Sequence, residues 1–365
     1  MAEENRDYGR PVEKLQEYEN EVMWKLFPET HGKEIERRDL VIARNVGNPS
    51  AIHFLVSDAV NGEKYQFHAR YYNTCPKTYH ADIPPSKKDM LSYEFLREAG
   101  IEKVPKTVFL EKAPDWLFTQ HIRGRTLRDV VSESDNNEGL FEAISKAIAD
   151  FQVKATLKAK TLSEDERKIF WSRSIDEQAT DYLEVYLGRA VEEAFIKEYS
   201  NLFGEALLGQ DICHGDLSPD NIIVVEGEEK ERYGVWFIDP ELKLRNGFAD
   251  LGSLISYLGD YENLWDRFAE SFKSSKISLM IEAEGGKPTS VLGRKVRIGL
   301  DSEGKKKALF ELYANVLHYS LRIVSKRKKR KEPPETYSPQ IKNIRFVIES
   351  FINETDKFGL GKERV

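Results

Sequence analysis

The chain has 365 residues, of which 40% are hydrophobic and 32% are charged, and its formal net charge is −7. These values are typical of a globular protein that buries one large core or two smaller ones in water. The negative net charge argues against a nucleic-acid-binding surface that covers the whole protein.

Cysteine usage and the N-terminal composition predict a soluble, cytoplasmic protein. The two cysteines, Cys75 and Cys213, lie far apart in sequence, which argues against a disulfide framework or a structural zinc site. Residues 1–22 are polar and acidic and lack the basic start and apolar core of a signal peptide. No run reaches the roughly 18 apolar residues that a membrane span needs.

In chain order, the hydrophobic pattern first predicts a helix and then a mostly antiparallel sheet. Apolar residues recur at helical spacing within 11–27. A second helix is expected from about residue 87 to 99, after Pro84-Pro85 and before Gly100. The Asn61-Gly62 pair is typical of a hairpin turn. Strand-like runs are predicted at 40–46, 51–56, 65–72, 106–111 and 116–122.

After Gly124 the pattern becomes mainly helical. Helices are predicted within 140–157 and 175–208, and again from residue 248 onward. Two apolar runs flank a charged loop and predict a β-hairpin, at 222–225 and 235–238. The sequence therefore predicts an α+β protein with two lobes. The smaller, sheet-rich lobe would comprise residues 1–122, and the larger helical lobe residues 123–365.

The most informative segment is HGDLSPDN, at residues 214–221, directly before the first strand of that hairpin. Gly, Asp, Ser, Pro and Asn are common turn residues, so the segment by itself also fits an ordinary turn. The second strand, however, ends in the run FIDPE at 237–241, so Asp216, Asn221 and Asp239 are predicted to lie close together. Gathered carboxylates are costly without a cation, and their oxygens suit Mg²⁺.

Together with the run ADLG at 249–252, these motifs resemble those of the aminoglycoside phosphotransferase and choline kinase-like family. The resemblance covers roughly residues 40–260 and is strongest between 212 and 252. It implies the protein-kinase-like fold. It also implies an enzyme that transfers the γ-phosphate of ATP, with Mg²⁺, to a hydroxyl group of a small molecule.

The resemblance assigns roles to the motif residues. Asp216 corresponds to the catalytic aspartate that accepts or orients the proton of the acceptor hydroxyl. Asn221 and Asp239 correspond to the Mg²⁺ ligands. Asp250 corresponds to the residue that binds backbone N–H groups of the catalytic loop, and His214 is expected to orient that loop.

In the first lobe, the resemblance implies nucleotide contacts. Arg70 stands at the position of the phosphate-binding lysine, and an arginine can bind phosphate oxygens through two N–H groups. Glu94 is its expected partner on the following helix. Gly47 and Ser50 can bring backbone N–H groups to a phosphate, although their Asn-Pro turn fits an ordinary hairpin equally well.

The connector at 118–127 resembles the hinge of these kinases, whose backbone pairs with adenine. Gln120 and Ile122 are therefore further candidate nucleotide contacts. His68 shares a strand face with Arg70 and is expected to alter the nucleotide pocket.

The acceptor is left open, since sugars, amino alcohols and aminoglycoside-like compounds all fit. An aromatic and acidic cluster at 257–266 fits a cation-binding site, but it fits better a helix that packs its aromatic side chains inward. The basic run Lys326–Lys331 is either a solvated helix end or a patch for an anionic partner. Nucleic acid is not expected as a partner, and the oligomeric state is left open.

Two other functions compete with this interpretation. A nucleotide-binding pseudokinase is suggested by Arg70, His68 and the single glycine of the phosphate-binding turn. A protein kinase is disfavoured because the second metal motif reads Asp-Pro-Glu where protein kinases have Asp-Phe-Gly.

Overall fold

A computed structural model describes most of the chain. Two compact units divide it: Met1–Arg97 with Glu102–Arg123, and Glu98–Ile101 with Gly124–Val365. The residues described are 9–43, 51–72, 84–133, 138–163, 166–169, 175–227, 233–258, 262–283 and 302–353.

The first unit contains a five-stranded antiparallel sheet in the order β1-β2-β3-β5-β4. Its predicted hairpin turn is confirmed, because Asn61 and Gly62 both have positive φ angles, 53° and 84°. The elements are α1 Gly9–Leu26, β1 Glu36–Ala43, β2 Ala51–Val60, β3 Glu63–Tyr72, α2 Pro85–Glu98, β4 Thr107–Val108 and β5 Trp116–Gln120.

One face of this sheet forms the core of the unit with α1. Apolar residues of α1 recur at helical spacing and face the alternating apolar residues of the central strands, so both patterns bury the same surface. The cluster includes Leu15, Val22, Met23, Leu26, Phe54, Val56, Phe67, Trp116 and Phe118.

The second unit is mainly helical and contains two small sheets, in the orders β6-β8-β9 and β10-β7. The predicted hairpin is confirmed, with pairs from Ile222–Phe237 to Glu226–Tyr233. The elements are β6 Arg125–Thr126, α3 Leu127–Glu133, α4 Glu138–Ala159, α5 Ile175–Leu187, α6 Glu193–Leu207, β7 Asp211–Cys213, β8 Ile222–Glu226, β9 Tyr233–Phe237, β10 Lys243–Arg245, α7 Ala249–Leu258, α8 Glu262–Ala283, α9 Ser302–Lys329 and α10 Ser338–Asn353.

The long helix α9 lies at the centre of the second unit and packs against α5, α7 and α10. Apolar residues on one side of α9 are buried, at Leu312, Val316, Tyr319 and Ile323. Its last turn carries four basic residues, which suit the negative end of the helix dipole. In the part of the chain that the structure describes, no helix combines the length and the apolar character needed to cross a membrane.

Candidate active site

The loop at residues 214–221 connects β7 to β8, and its own backbone contacts hold its shape. Gly215 has a φ of +84°, which favours glycine, and an added Cβ would lie 3.0 Å from side-chain carbons of Lys243. A short 3-10 helix, Pro219–Asn221, begins with proline and leads into β8. The Asn221 amide group donates to the Asp216 carbonyl at 2.8 Å, which closes the loop on itself.

Asp250, in the first turn of α7, anchors the start of this loop. Its Oδ2 accepts hydrogen bonds from the backbone N–H of His214 at 2.9 Å and from Gln152 Nε2 at 3.2 Å. Its Oδ1 accepts one from the backbone N–H of Gly215 at 3.1 Å. Asp250 is only 1% exposed. The contact predicted for Asp250 is therefore confirmed, and it fixes the two residues that precede Asp216.

His214 joins the loop to the second motif. Its Nε2 lies 2.9 Å from the carbonyl oxygen of Ile238, so this nitrogen must carry the proton. The ring is buried against Phe151 and Phe237. Because the ring is buried and engaged, its contacts support an orienting role for His214.

Two backbone hydrogen bonds complete the connection between the motifs. The N–H of Ile238 donates to Asn221 O at 3.0 Å, and that of Glu241 donates to His214 O at 2.8 Å. These bonds bring the backbone next to Asp239 beside Asn221. The hairpin register thus explains why two segments about 20 residues apart converge.

The two candidate metal ligands have suitable donor atoms. The NH₂ group of Asn221 is used by the Asp216 carbonyl, so its Oδ1 is the end that suits a cation. Asp239 adopts a left-handed backbone conformation, with φ of 53°, which aspartate tolerates better than most residues. Among the described residues, no three His, Cys, Asp or Glu side chains gather as a metal site. Two oxygen ligands completed by phosphate and water fit Mg²⁺.

Asp216 forms an ion pair that sequence analysis did not anticipate. Nη2 of Arg322, on α9, lies 3.1 Å from Asp216 Oδ1, and the two side chains are 14% and 29% exposed. Burial would lower the pKa of Arg322, but Asp216 together with nearby tyrosines outweighs this effect and raises the pKa, so the guanidinium stays charged. One signal was available in the sequence: Arg322 is a charged residue between two apolar residues of α9, Leu321 and Ile323, and both are buried.

A second cation, Lys243 of β10, contacts the same loop. Its Nζ lies 3.0 Å from the Gly215 carbonyl oxygen and 2.5 Å from Glu241 Oε2. Burial would raise the pKa of Glu241, but the positive charges of Lys243, Arg322 and Lys326 together lower it to about 2. Glu241 is therefore ionised and bound to Lys243.

In the first unit, the predicted pairing of Arg70 with Glu94 is wrong. Arg70 Nη1 lies 3.4 Å from Asp89 Oδ2, which also accepts a hydrogen bond from the Tyr72 hydroxyl. Glu94 is exposed. The two acids lie on different sides of α2. Asp89 is on the same side as the buried Tyr93, whereas Glu94, five positions after Asp89, points about 140° away from it.

The connector residues lie at the end of β5. The backbone N–H of Gln120 is used by Lys106 O at 2.8 Å, whereas no backbone hydrogen bond of the described residues uses the Ile122 N–H. His68 Nε2 lies 2.8 Å from His121 Nδ1, which ties β3 to the connector. Burial, Arg123 and Lys64 lower the pKa of His121. The candidate phosphate contacts Gly47 and Ser50 lie outside the described residues.

Comparisons with known proteins identify the fold. No protein-family model and no curated protein sequence matches the chain. The choline kinase LicA from Streptococcus pneumoniae is similar in structure with a TM-score of 0.50 and 12% identity, over 93% of this chain and 99% of that one. The chain has the protein-kinase-like fold. The α+β fold class predicted from the sequence is thereby confirmed.

Two further solved structures with this kinase-like fold are similar to the chain. An ethanolamine kinase from Plasmodium vivax has a TM-score of 0.49 and 13% identity, over 95% of each chain. The GDP complex of wild-type aminoglycoside 2'-phosphotransferase-IIIa has a TM-score of 0.47 and 10% identity, over 90% of this chain and 97% of that one.

Proposed function

We propose that this protein is an ATP- and Mg²⁺-dependent phosphotransferase that transfers the γ-phosphate to a hydroxyl group of a small molecule, such as a sugar, an amino alcohol or an aminoglycoside-like compound. The observation that carries this proposal is the anchored loop. Asp250 holds the backbone on one side of Asp216, and Asn221 holds it on the other. A side chain held in this way is suited to positioning a reacting group.

In the proposed reaction, the acceptor hydroxyl oxygen bonds to the γ-phosphorus, the bond from that phosphorus to the β-γ bridging oxygen breaks, and ADP leaves. Asp216 orients the hydroxyl group and accepts its proton. The Arg322 guanidinium, 3.1 Å away, keeps the carboxylate in place before the proton transfer.

Asn221 and Asp239 would hold the metal ion. When bound, Mg²⁺ would neutralise charge on the phosphate oxygens. The protein contributes the rigidity of these two ligands. Asn221 is fixed by the hydrogen bond from its side-chain amide group to Asp216 O, and Asp239 by its place at the end of the hairpin.

We assign the nucleotide contacts to the first unit. Arg70, supported by Asp89 in place of Glu94, is the proposed ligand of phosphate oxygens. The carbonyl group of Gln120 and the N–H of Ile122 are the proposed partners of adenine. The available N–H of Ile122 supports this assignment.

The test is product formation in a small-molecule extract. Purified protein is incubated with Mg²⁺ and ATP whose γ-phosphate carries ¹⁸O, and labelled products are identified by mass spectrometry. We expect a labelled small-molecule product with the wild type and none with Asp216→Asn. A nucleotide-binding protein that forms no such product would favour the pseudokinase alternative, and label found only in proteins would favour a protein kinase.

A further inference from the structure

Three cationic side chains gather around the candidate catalytic loop in the second unit. Arg322 pairs with Asp216 at 3.1 Å, and Lys243 pairs with Glu241 at 2.5 Å. The third is Lys326, which follows Arg322 by four residues on α9 and therefore lies next to it on the helix surface. Lys326 interacts electrostatically with the other four side chains, which are Arg322, Asp216, Lys243 and Glu241.

Lys326 differs from the other two cations because no anion is assigned to it. It is exposed, and among the described residues its side chain makes no hydrogen bond or ion pair. A cation beside two other cations is an unfavourable arrangement that an anionic ligand would relieve.

The net charge of these side chains also favours an anionic ligand. Arg322, Lys243 and Lys326 contribute three positive charges, whereas Asp216 and Glu241 contribute two negative charges. Two other nearby cations are already paired: Arg128 with Asp220 at 2.7 Å and Arg327 with Glu332 at 3.8 Å. Within these five side chains one positive charge remains unbalanced; Asp239 is not counted because the proposed Mg²⁺ would neutralise its charge.

Arg322 also has hydrogen-bonding capacity left. A guanidinium group has five N–H donors in a planar fork, and within the described residues the Arg322 group makes one hydrogen bond, to Asp216. An arginine that holds a catalytic carboxylate with one arm can bind an anion with the other. Its helix neighbour, Lys326, would bind the same anion as a point charge.

We infer that the acceptor carries an anionic group, a phosphate or a carboxylate, close to the hydroxyl that is phosphorylated, and that Arg322 and Lys326 bind this group. The inference rests on the proposed phosphotransferase function. It assigns anion binding to Lys326, the first residue of the basic run at 326–331. It also predicts a charge opposite to that of choline, after which the similar S. pneumoniae enzyme is named.

A cationic acceptor has less support from the described residues. Of the aromatic and acidic cluster at 257–266, the structure describes the side chain of Tyr257 and no other. Burial and the charge of Asp216 raise the pKa of Tyr257, whereas Arg322 and Arg327 oppose the shift. A cation bound beside Asp216 would lie next to the guanidinium of Arg322, which already holds that carboxylate.

The first experiment separates acceptors by charge. A small-molecule extract is divided by anion exchange into retained and unretained fractions, and each is incubated with the wild-type protein, Mg²⁺ and ¹⁸O-labelled ATP. Asp216→Asn is run in parallel with each fraction. We expect labelled product from the retained fraction alone. Glycerol, glycerate and glycerol 3-phosphate then serve as matched probes that distinguish neutral, carboxylate and phosphate acceptors.

The second experiment uses the exposed lysines of α9. Lys326→Ala should lower the rate with subsaturating retained fraction by about 10- to 100-fold, the usual effect of losing one charged contact. Lys326→Glu should lower it further. Lys329→Ala removes the same charge from an exposed position three residues later and should leave the rate unchanged.

The outcomes separate the two proposals. Asp216-dependent product from the unretained fraction, with Lys326→Ala as active as Lys329→Ala, would overturn the inference and leave the phosphotransferase proposal intact. No product from either fraction would contradict the proposed function itself. Sulfate then tests the anion site directly: it should raise the melting temperature of the wild type and of Lys329→Ala more than that of Lys326→Ala, and equal shifts would overturn the inference.

Discussion

Replacing Asp250 tests whether the candidate catalytic loop is held as the structure indicates. Asp250 accepts hydrogen bonds from the backbone N–H groups of His214 and Gly215 and from Gln152. Asp250→Ala would leave two buried backbone donors without an acceptor, at about 1–3 kcal/mol each. The loss of about 2–6 kcal/mol is large against a typical free energy of unfolding of about 5–15 kcal/mol.

Asp250→Asn is the more informative change. The asparagine keeps one carbonyl oxygen, so one backbone N–H retains its acceptor while the other faces an NH₂ group. We expect a loss of about 1–3 kcal/mol in the free energy of unfolding. Because these donors directly precede Asp216, we also expect turnover to fall more than nucleotide affinity does.

The assay combines urea denaturation with steady-state kinetics and nucleotide titration. The matched control is Asp220→Asn, in the same loop, because Asp220 forms an exposed ion pair with Arg128 at 2.7 Å. Exposed pairs contribute at most about 1 kcal/mol. If Asp250→Asn is as stable and as active as Asp220→Asn, Asp250 does not anchor the loop and this reasoning is wrong.

Three further predictions concern the remaining site residues. Asp216→Asn should lower single-turnover rates about 10²- to 10⁴-fold; it should also lower the melting temperature, because Arg322 loses its anion, and wild-type turnover would contradict the assigned role. Asp239→Asn should abolish the Mg²⁺ dependence of ATP binding in calorimetry, and an unchanged dependence would exclude Asp239 as a ligand. Asparagine is chosen because it tolerates the left-handed backbone better than alanine does. Asp89→Asn should raise the Michaelis constant for ATP, whereas Glu94→Gln, on the exposed side of α2, should not; equal effects would refute the revised pairing.

The sequence by itself determined the fold class, the strand–turn–strand unit and the order of the motifs. Local patterns are sufficient for these features, because alternation specifies a strand and Asn-Gly specifies a hairpin turn. The spacing from Asp216 to Asn221, followed by a hairpin that ends at Asp239, also predicted that the two segments lie side by side, and backbone hydrogen bonds join them. The contact of Asp250 with the loop was predicted from the motif resemblance and is present.

Only the tertiary structure decided which charged groups meet. Asp216 and Arg322 are separated by 106 residues, and no local pattern relates a loop to a helix so far away. The pairing of β7 with β10, which brings Lys243 to the loop, likewise joins two strands too short for a periodic signal. Asp89 replaced Glu94 as the partner of Arg70 for a related reason. A rotation of about 100° per residue determines which acid of a helix faces the sheet, and that phase depends on how the helix packs.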